Sequence, residues 1–228
     1  MNKLAIIAGP TAVGKSEVAV EVAALFKGEI ISADSMQVYQ KMNIGTAKLE
    51  QKEMTAENGQ VIPHHLINVV SPDESFSVAD FKRKVEALIP RIIQRGKLPI
   101  LVGGTGLYIE SVIDPYEFAP LPVDEGLRKS MRKEAQVKGH VFLHNRLREV
   151  DPVSAEKLHP NDLRRVIRAL EVFCQTGVPI SNHSFQRKKE EYPPKYLLSY
   201  MGLRCDRSSL YQRINRRVDK MMEKGLLQ

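Results

Sequence analysis

The amino-acid sequence predicts an α/β fold: a mostly parallel sheet flanked by helices, with an all-helical lobe inserted into it. Three observations carry that expectation. Short apolar, β-branched runs alternate with longer amphipathic segments over the first 113 residues, the alternation stops at Asp114, and an apolar run returns at Tyr196.

Taken in order, KLAIIA, EIISA, HLINVV, LPILV and YLLSYMGL read as strands. The first four are dominated by apolar residues instead of alternating, as strands covered on both faces of a parallel sheet should be. Between them, Lys15 to Lys27, Ser77 to Arg95 and Thr105 to Ile113 read as helices. A βαβα order of this kind binds ligands at the carboxyl ends of its strands. From Asp114 to about Gln186 the pattern holds only helices, at Val123 to Gly139, Phe142 to Val150, Pro152 to Leu158 and Asp162 to Gly177. PLP, DP, HPND and TGVP clusters separate them. A basic helix, Ser208 to Lys224, closes the sequence, and MMEKGLLQ contains no evident helix stop, the pattern of a stretch of a longer protein. The expected division is therefore a core over 1–113, a helical lobe over 114–186 and a return to the core over 187–228.

With 228 residues, 43% hydrophobic and 27% charged, the chain is long enough for one large domain or one domain with a smaller lobe. No apolar run approaches the roughly 18 residues that span a bilayer, so a membrane protein is not expected. The apolar start runs straight into a glycine loop instead of a cleavage site, which makes it a buried first strand and not a signal peptide. Cys174 and Cys205 are the two cysteines, too few and too far apart for a disulfide framework or a zinc site, and a cytoplasmic location fits. The net charge of +7 is unevenly placed: residues 1–113 carry 12 Lys/Arg against 12 Asp/Glu, 114–181 carry 11 against 10, and 182–228 carry 11 against 5. That final excess reads either as a solvated helix face or as a footprint for a polyanion.

The chemistry begins at GPTAVGKS. Gly9, Gly14, Lys15 and Ser16 fit G-x-x-x-x-G-K-[ST], with Pro10, Thr11, Ala12 and Val13 between them. Such a loop turns backbone N–H groups onto phosphate oxygens, adds a lysine charge and a hydroxyl able to ligate Mg²⁺, and sits at a helix N-terminus. A P-loop NTPase-like sheet follows from it. An NTP hydrolase or kinase of that type carries an acid at the end of a buried strand, yet LPILV ends in GGTGLY. The candidate is Asp34, directly after EIISA, either a general base or the cap of the turn that follows it. Gly103, Gly104, Thr105 and Gly106 form a second glycine loop at the same rim. Arg164, Arg165 and Arg168, with Val166 and Ile167 among them, lie on one helix as a solvated face or a contact for a nucleic-acid backbone. Arg213 and Arg217, one turn apart beside Arg216, could clamp a diphosphate. His64 and His65 lack an acid partner at obvious spacing and read as structural.

GPTAVGKS, ISADSMQVYQKMNIGTAK, PHHLINV, FSVADFK, LPILVGGTGLY and HPNDLRRVIRALEV, in this order and spacing, resemble the tRNA dimethylallyltransferases, also called tRNA isopentenyltransferases, over essentially the whole chain. The resemblance implies transfer of a dimethylallyl group from its pyrophosphate to N6 of the adenosine 3′ to the anticodon of tRNA, with Mg²⁺. It implies that Asp34 takes the proton from the amino group, that Thr11, Lys15 and Ser16 hold the pyrophosphate together with Arg217, and that Ser16 meets the metal. It further implies that Asp34, Ser35, Met36, Gln37, Thr105 and the Arg164 to Arg168 segment meet the tRNA, and that the helical lobe grips the anticodon stem. Members of the family continue past the position of Gln228 with another helical section. A monomer is expected. Three other readings share parts of the pattern: an adenylate isopentenyltransferase acting on free AMP, ADP or ATP, a small-molecule kinase, and a non-catalytic nucleic-acid-binding module.

Overall fold

The computed structural model describes residues 1–114, 121, 123–182 and 194–227. The chain forms two compact units, Met1–Pro115 with Lys188–Gln228, and Tyr116–Arg187. The expected break at 120–122, Leu121 apart, and the expected boundary at 186/187 fall outside the described residues.

The first unit is built on β1 (Asn2–Ala8), β2 (Gly28–Ala33), β3 (His64–His65), β4 (Leu98–Gly103) and β5 (Tyr196–Gly202). They form one parallel sheet in the order β3-β2-β4-β1-β5. Successive side chains of β1 point to opposite faces, and both faces are covered. Leu4 and Ile6 pack with Phe81, Val85 and Ile89 of α2 (Val78–Gln94) and with Tyr108 of α3 (Gly106–Ile113), whose ring stacks on Phe81 at 4.1 Å. Ala5 and Ile7 pack with Ala19, Val20 and Ala23 of α1 (Lys15–Leu25). Two-sided burial is why the strand reads as a continuous apolar run. Helix α2 starts where Ser77 accepts from Asp80 N–H while Asp80 accepts from Ser77 N–H, a capping box that fixes its first turn.

Two expectations need correction. HLINVV contributes only its first residue to the sheet, where His65 follows His64 in β3, because Leu66 and Asn68 adopt left-handed φ of 61° and 59°, which end the extended run despite its β-branched composition. The rest of that segment instead pairs with the chain after Asp34: Asn68 N–H donates to Gln37 O at 3.1 Å and Val69 N–H to Val38 O at 2.7 Å. The basic helix α8 (Arg207–Glu223) does have a stop. Gly225 takes φ 86°, its N–H donates to Met222 O and Leu226 N–H to Met221 O, a Schellman closure.

The second unit contains α4 (Glu125–Lys138), α5 (His140–Val150), α6 (Pro152–Lys157) and α7 (Leu163–Thr176), with no strand among its described residues. Asp124, Asp151 and Asp162 each cap the helix that follows. Met131, Leu143, Leu147, Val166, Ile167 and Leu170 form its separate core.

Candidate active site

The sheet register sets the frame. Ala33 of β2 lies beside Gly103 of β4, Gly103 beside Ala8 of β1, and Ala8 beside Gly202 of β5, so four strands end in one row. From that row emerge Asp34, the Gly104–Thr105 turn, the loop from Gly9 to Ser16, and the connection into α8. Asp34, Gly104 and Thr105, most of the Gly9–Ser16 loop and the α8 side chains Arg213, Arg216 and Arg217 line one cleft of about 1360 Å³.

After β1 the loop wraps so that Ala12 reaches a left-handed φ of 65° and Gly14, at φ 101°, turns the chain into α1. Lys15 Nζ donates to Gly9 O at 2.9 Å and Pro10 O at 2.8 Å. Burial holds its ammonium below the ordinary lysine value; neighbouring Asp34 opposes that shift and Arg217 adds to it. Pro10, Thr11, Ala12, Gly14, Lys15 and Ser16 face the cleft, whereas Val13 is buried and presents its carbonyl to Arg213 Nη1 at 3.3 Å.

Asp34 accepts from Met36 N–H at 2.8 Å and Gln37 N–H at 3.2 Å through one oxygen, Oδ1. It therefore caps the turn and still has Oδ2 available to a ligand; Ser35, Met36 and Gln37 follow it along the wall. At the end of β4, a methyl group on Gly103 would lie 2.2 Å from Ala33 O and one on Gly104 3.2 Å from Gly9 O. The second glycine loop thus lets two neighbouring strand ends close on the phosphate loop. Gly103→Ala is expected to cost at least about 1–3 kcal/mol, read as a lower thermal midpoint, because backbone and not a side-chain tip is in the way. An unchanged midpoint would show that the strand ends can part.

Helix α8 lies along the same cleft. Arg213 and Arg217 reach Val13 O and Thr46 O, the latter at 3.1 Å from Arg217 Nη2. Lys220 and Lys224 continue this stripe at helical spacing, and Lys224 also pairs with Glu50 at 2.6 Å. The stripe was legible in the sequence as basic residues four, three and four apart. Lys48 was not legible: its ammonium ties Tyr39 O, Asn43 Oδ1 and Asn68 Oδ1 together. Away from the cleft, His65 does have an acid partner, Glu29 at 2.7 Å, which spacing alone does not show.

The remaining candidates belong to the helical unit. On α7, Arg164 is exposed, Arg165 pairs with Asp162 at 3.0 Å, and Arg168 pairs with the wholly buried Glu171 at 2.6 Å. Val166 and Ile167 are buried at 0% and 3% exposure, so their side chains serve that unit's core and reach no external partner. Among the described residues, no group of three or more His, Cys, Asp and Glu could hold a metal ion, and no helix is long and apolar enough to cross a membrane.

Fold and cleft together define a phosphate-loop α/β protein in which an acid, a lysine and arginines from a late helix line one cleft. The family model described as "IPP transferase" matches residues 37–228. The chain is 53% identical over 226 residues to the tRNA dimethylallyltransferase of Carboxydothermus hydrogenoformans, covering 99% of this chain and 70% of that one. To the tRNA dimethylallyltransferase of Bacillus cereus it is 50% identical over 227 residues, covering 100% and 69%. Among solved structures, the tRNA isopentenylpyrophosphate transferase of Bacillus halodurans superimposes with a TM-score of 0.64 at 46% identity, over 99% of this chain and 68% of that one. A eukaryotic dimethylallyltransferase acting on tRNA gives 0.78 at 34% identity, over 100% and 54%. The chain belongs to the IPP transferase family.

Proposed function

We propose that this protein transfers a dimethylallyl group from dimethylallyl pyrophosphate to N6 of the adenosine 3′ to the anticodon in tRNA. One observation carries the reading: Lys15, Asp34 and Arg217 share one cleft with the phosphate loop, while the strand that would carry an NTPase acid ends in Gly103 and Gly104. In the transfer, the N6 nitrogen forms a bond to the allylic carbon, the carbon–oxygen bond to pyrophosphate breaks with its electrons leaving on oxygen, and the amino proton passes to Asp34. Negative charge grows on the departing pyrophosphate, and on this reading Lys15, the loop N–H groups, Arg213 and Arg217 meet it, a role supported by their lining one cleft. Ser16 offers a hydroxyl at the mouth of α1, a donor set that suits Mg²⁺ shared with phosphate oxygens and water, since Mg²⁺ takes few protein ligands. When bound, the ion would neutralise charge on the pyrophosphate. An adenine enclosed in a stacked loop has to be flipped out to reach Asp34. On this reading Ser35, Met36 and Thr105 meet the RNA from the cleft walls and Arg164 meets its backbone from the helical unit.

The test is label transfer from dimethylallyl pyrophosphate to unmodified tRNA, with AMP as the competing acceptor. Label on tRNA alone is expected. Label on AMP alone would reassign the acceptor, and label on neither together with ATP turnover would sink the reading.

A further inference from the structure

The carboxamide of Gln37 is spent inside the protein. Its Oε1 accepts from Ser32 Oγ at 3.3 Å, at the end of β2, and its Nε2 donates to Thr46 O at 3.3 Å and Ala47 O at 3.4 Å. Both amide hydrogens are thereby directed to carbonyls, leaving no donor with which the side chain could read an RNA base. Its backbone N–H meanwhile donates to Asp34 Oδ1.

Thr46 O is the point of interest, because the same oxygen accepts from Arg217 Nη2 at 3.1 Å. A carbonyl has two lone pairs, and here one serves Gln37 and the other Arg217. The turn bearing this carbonyl is itself fixed. Thr46 is 8% exposed and its hydroxyl donates to Met42 O at 2.5 Å, while Ala47, at φ 47°, donates its N–H to Ile44 O. The hydrogen bond to Thr46 O fixes one nitrogen of the Arg217 fork. The guanidinium is planar, so that bond sets the direction of its remaining N–H groups, which have no other partner among the described residues.

We propose that Gln37 is a positioning residue: through the Thr46 carbonyl it aims Arg217 at the pyrophosphate, and so links the wall that carries Asp34 to the helix that carries the arginines. The proposal rests on the reading that Arg217 meets the pyrophosphate. It gives the glutamine a different task from an RNA contact, and it places the acceptor wall and the leaving-group clamp on one continuous chain of hydrogen bonds.

A double-mutant cycle on the full chain tests it, using Gln37→Met, Arg217→Met and the pair, with inorganic pyrophosphate and Mg²⁺ as the calorimetric probe and label transfer as the second readout. Gln37→Met is expected to weaken pyrophosphate binding about ten-fold and to raise KM for dimethylallyl pyrophosphate while KM for tRNA stays put, as loss of an oriented, charge-assisted contact should. In the Arg217→Met background the same change is expected to do nothing more. Gln37→Glu, close in size but unable to donate to the two carbonyls, is expected to match Gln37→Met and keeps the test open if the methionine variant folds poorly. Additive losses, an unchanged pyrophosphate affinity in Arg217→Met, or a fall in tRNA affinity alone would each overturn the proposal. A wild-type protein that binds pyrophosphate yet labels no tRNA would overturn the transferase reading instead, and the calorimetric cycle would still decide the role of Gln37.

Discussion

Asp34→Asn is expected to lower dimethylallyl transfer by about 10² to 10⁴ while leaving tRNA binding and thermal stability close to wild type, the range typical of losing a general base. Asparagine is the informative choice because the proposed mechanism gives Asp34 a second task beside its cap. Its Oδ1 holds Met36 N–H and Gln37 N–H, and an amide oxygen can keep both bonds; what asparagine cannot do is take a proton from an attacking amine. Asp34→Ala removes both functions and is expected to add about 1 kcal/mol of local destabilisation from the lost cap. Single-turnover label transfer beside a tRNA-binding titration separates the two variants. Undiminished transfer by Asp34→Asn would leave the carboxylate only its cap.

The second large effect lies in the helical unit. Glu171→Ala is expected to cost about 3–5 kcal/mol of that unit's stability, because it strands two guanidinium groups around a fully buried position. Glu171 accepts two bonds from Arg128 at 2.9 Å, one from Arg168 at 2.6 Å, and one from Asp124 N–H at 3.0 Å. Burial by itself would raise its pKa, but these donors, Arg128 foremost, outweigh burial and hold the carboxyl below the ordinary glutamate value. The sign follows. The network's contribution is present above the ordinary carboxylate range and is lost as pH falls through the lowered folded value. Denaturant melts of wild type across that acid range should therefore converge toward those of the variant; parallel curves would mean that the charge is idle. The same network divides the α7 arginines. Arg168→Ala should register as lost stability, whereas Arg164→Ala, at an exposed position, should leave stability unchanged and flatten the salt dependence of tRNA binding by about one contact's worth.

Local patterns were the readable part. The phosphate loop is contiguous, so eight adjacent residues announce it, and the strands with both faces covered announce themselves by unbroken apolar runs. Parallel order followed from the alternation with helices. HLINVV misled because composition records β-branching and not the left-handed turns at Leu66 and Asn68 that redirect the chain toward Gln37 and Val38. The Schellman stop at Gly225 carries its usual sign, a glycine after a basic turn, although MMEKGLLQ offers no proline or cluster of turn residues beyond it. The pair of Arg168 and the buried Glu171 stands at i, i+3 and is legible in principle; that Arg128 joins it across 43 residues is not. Nor was the shared oxygen of Thr46, since a backbone carbonyl leaves no trace in residue types.

The row in which Ala33, Gly103, Ala8 and Gly202 end side by side makes the sheet a ruler for the chemistry. Each of these strands ends at a height fixed by its ladder of hydrogen bonds, so if the proposed roles hold, the spacing of acid, lysine and arginine rests on pairings far below the cleft, those of Ile31 with Leu101, Leu101 with Ile6 and Ile6 with Tyr200. A slip of a single residue in any one strand would lift its part by about 3.3 Å and turn its core side chains to the wrong face. Tolerance to change in this protein should accordingly be set by register and not by nearness to the cleft: loops at the rim can vary in length beyond the residues the proposal uses, while an insertion in a strand that lies far below the cleft would disturb every residue the row carries.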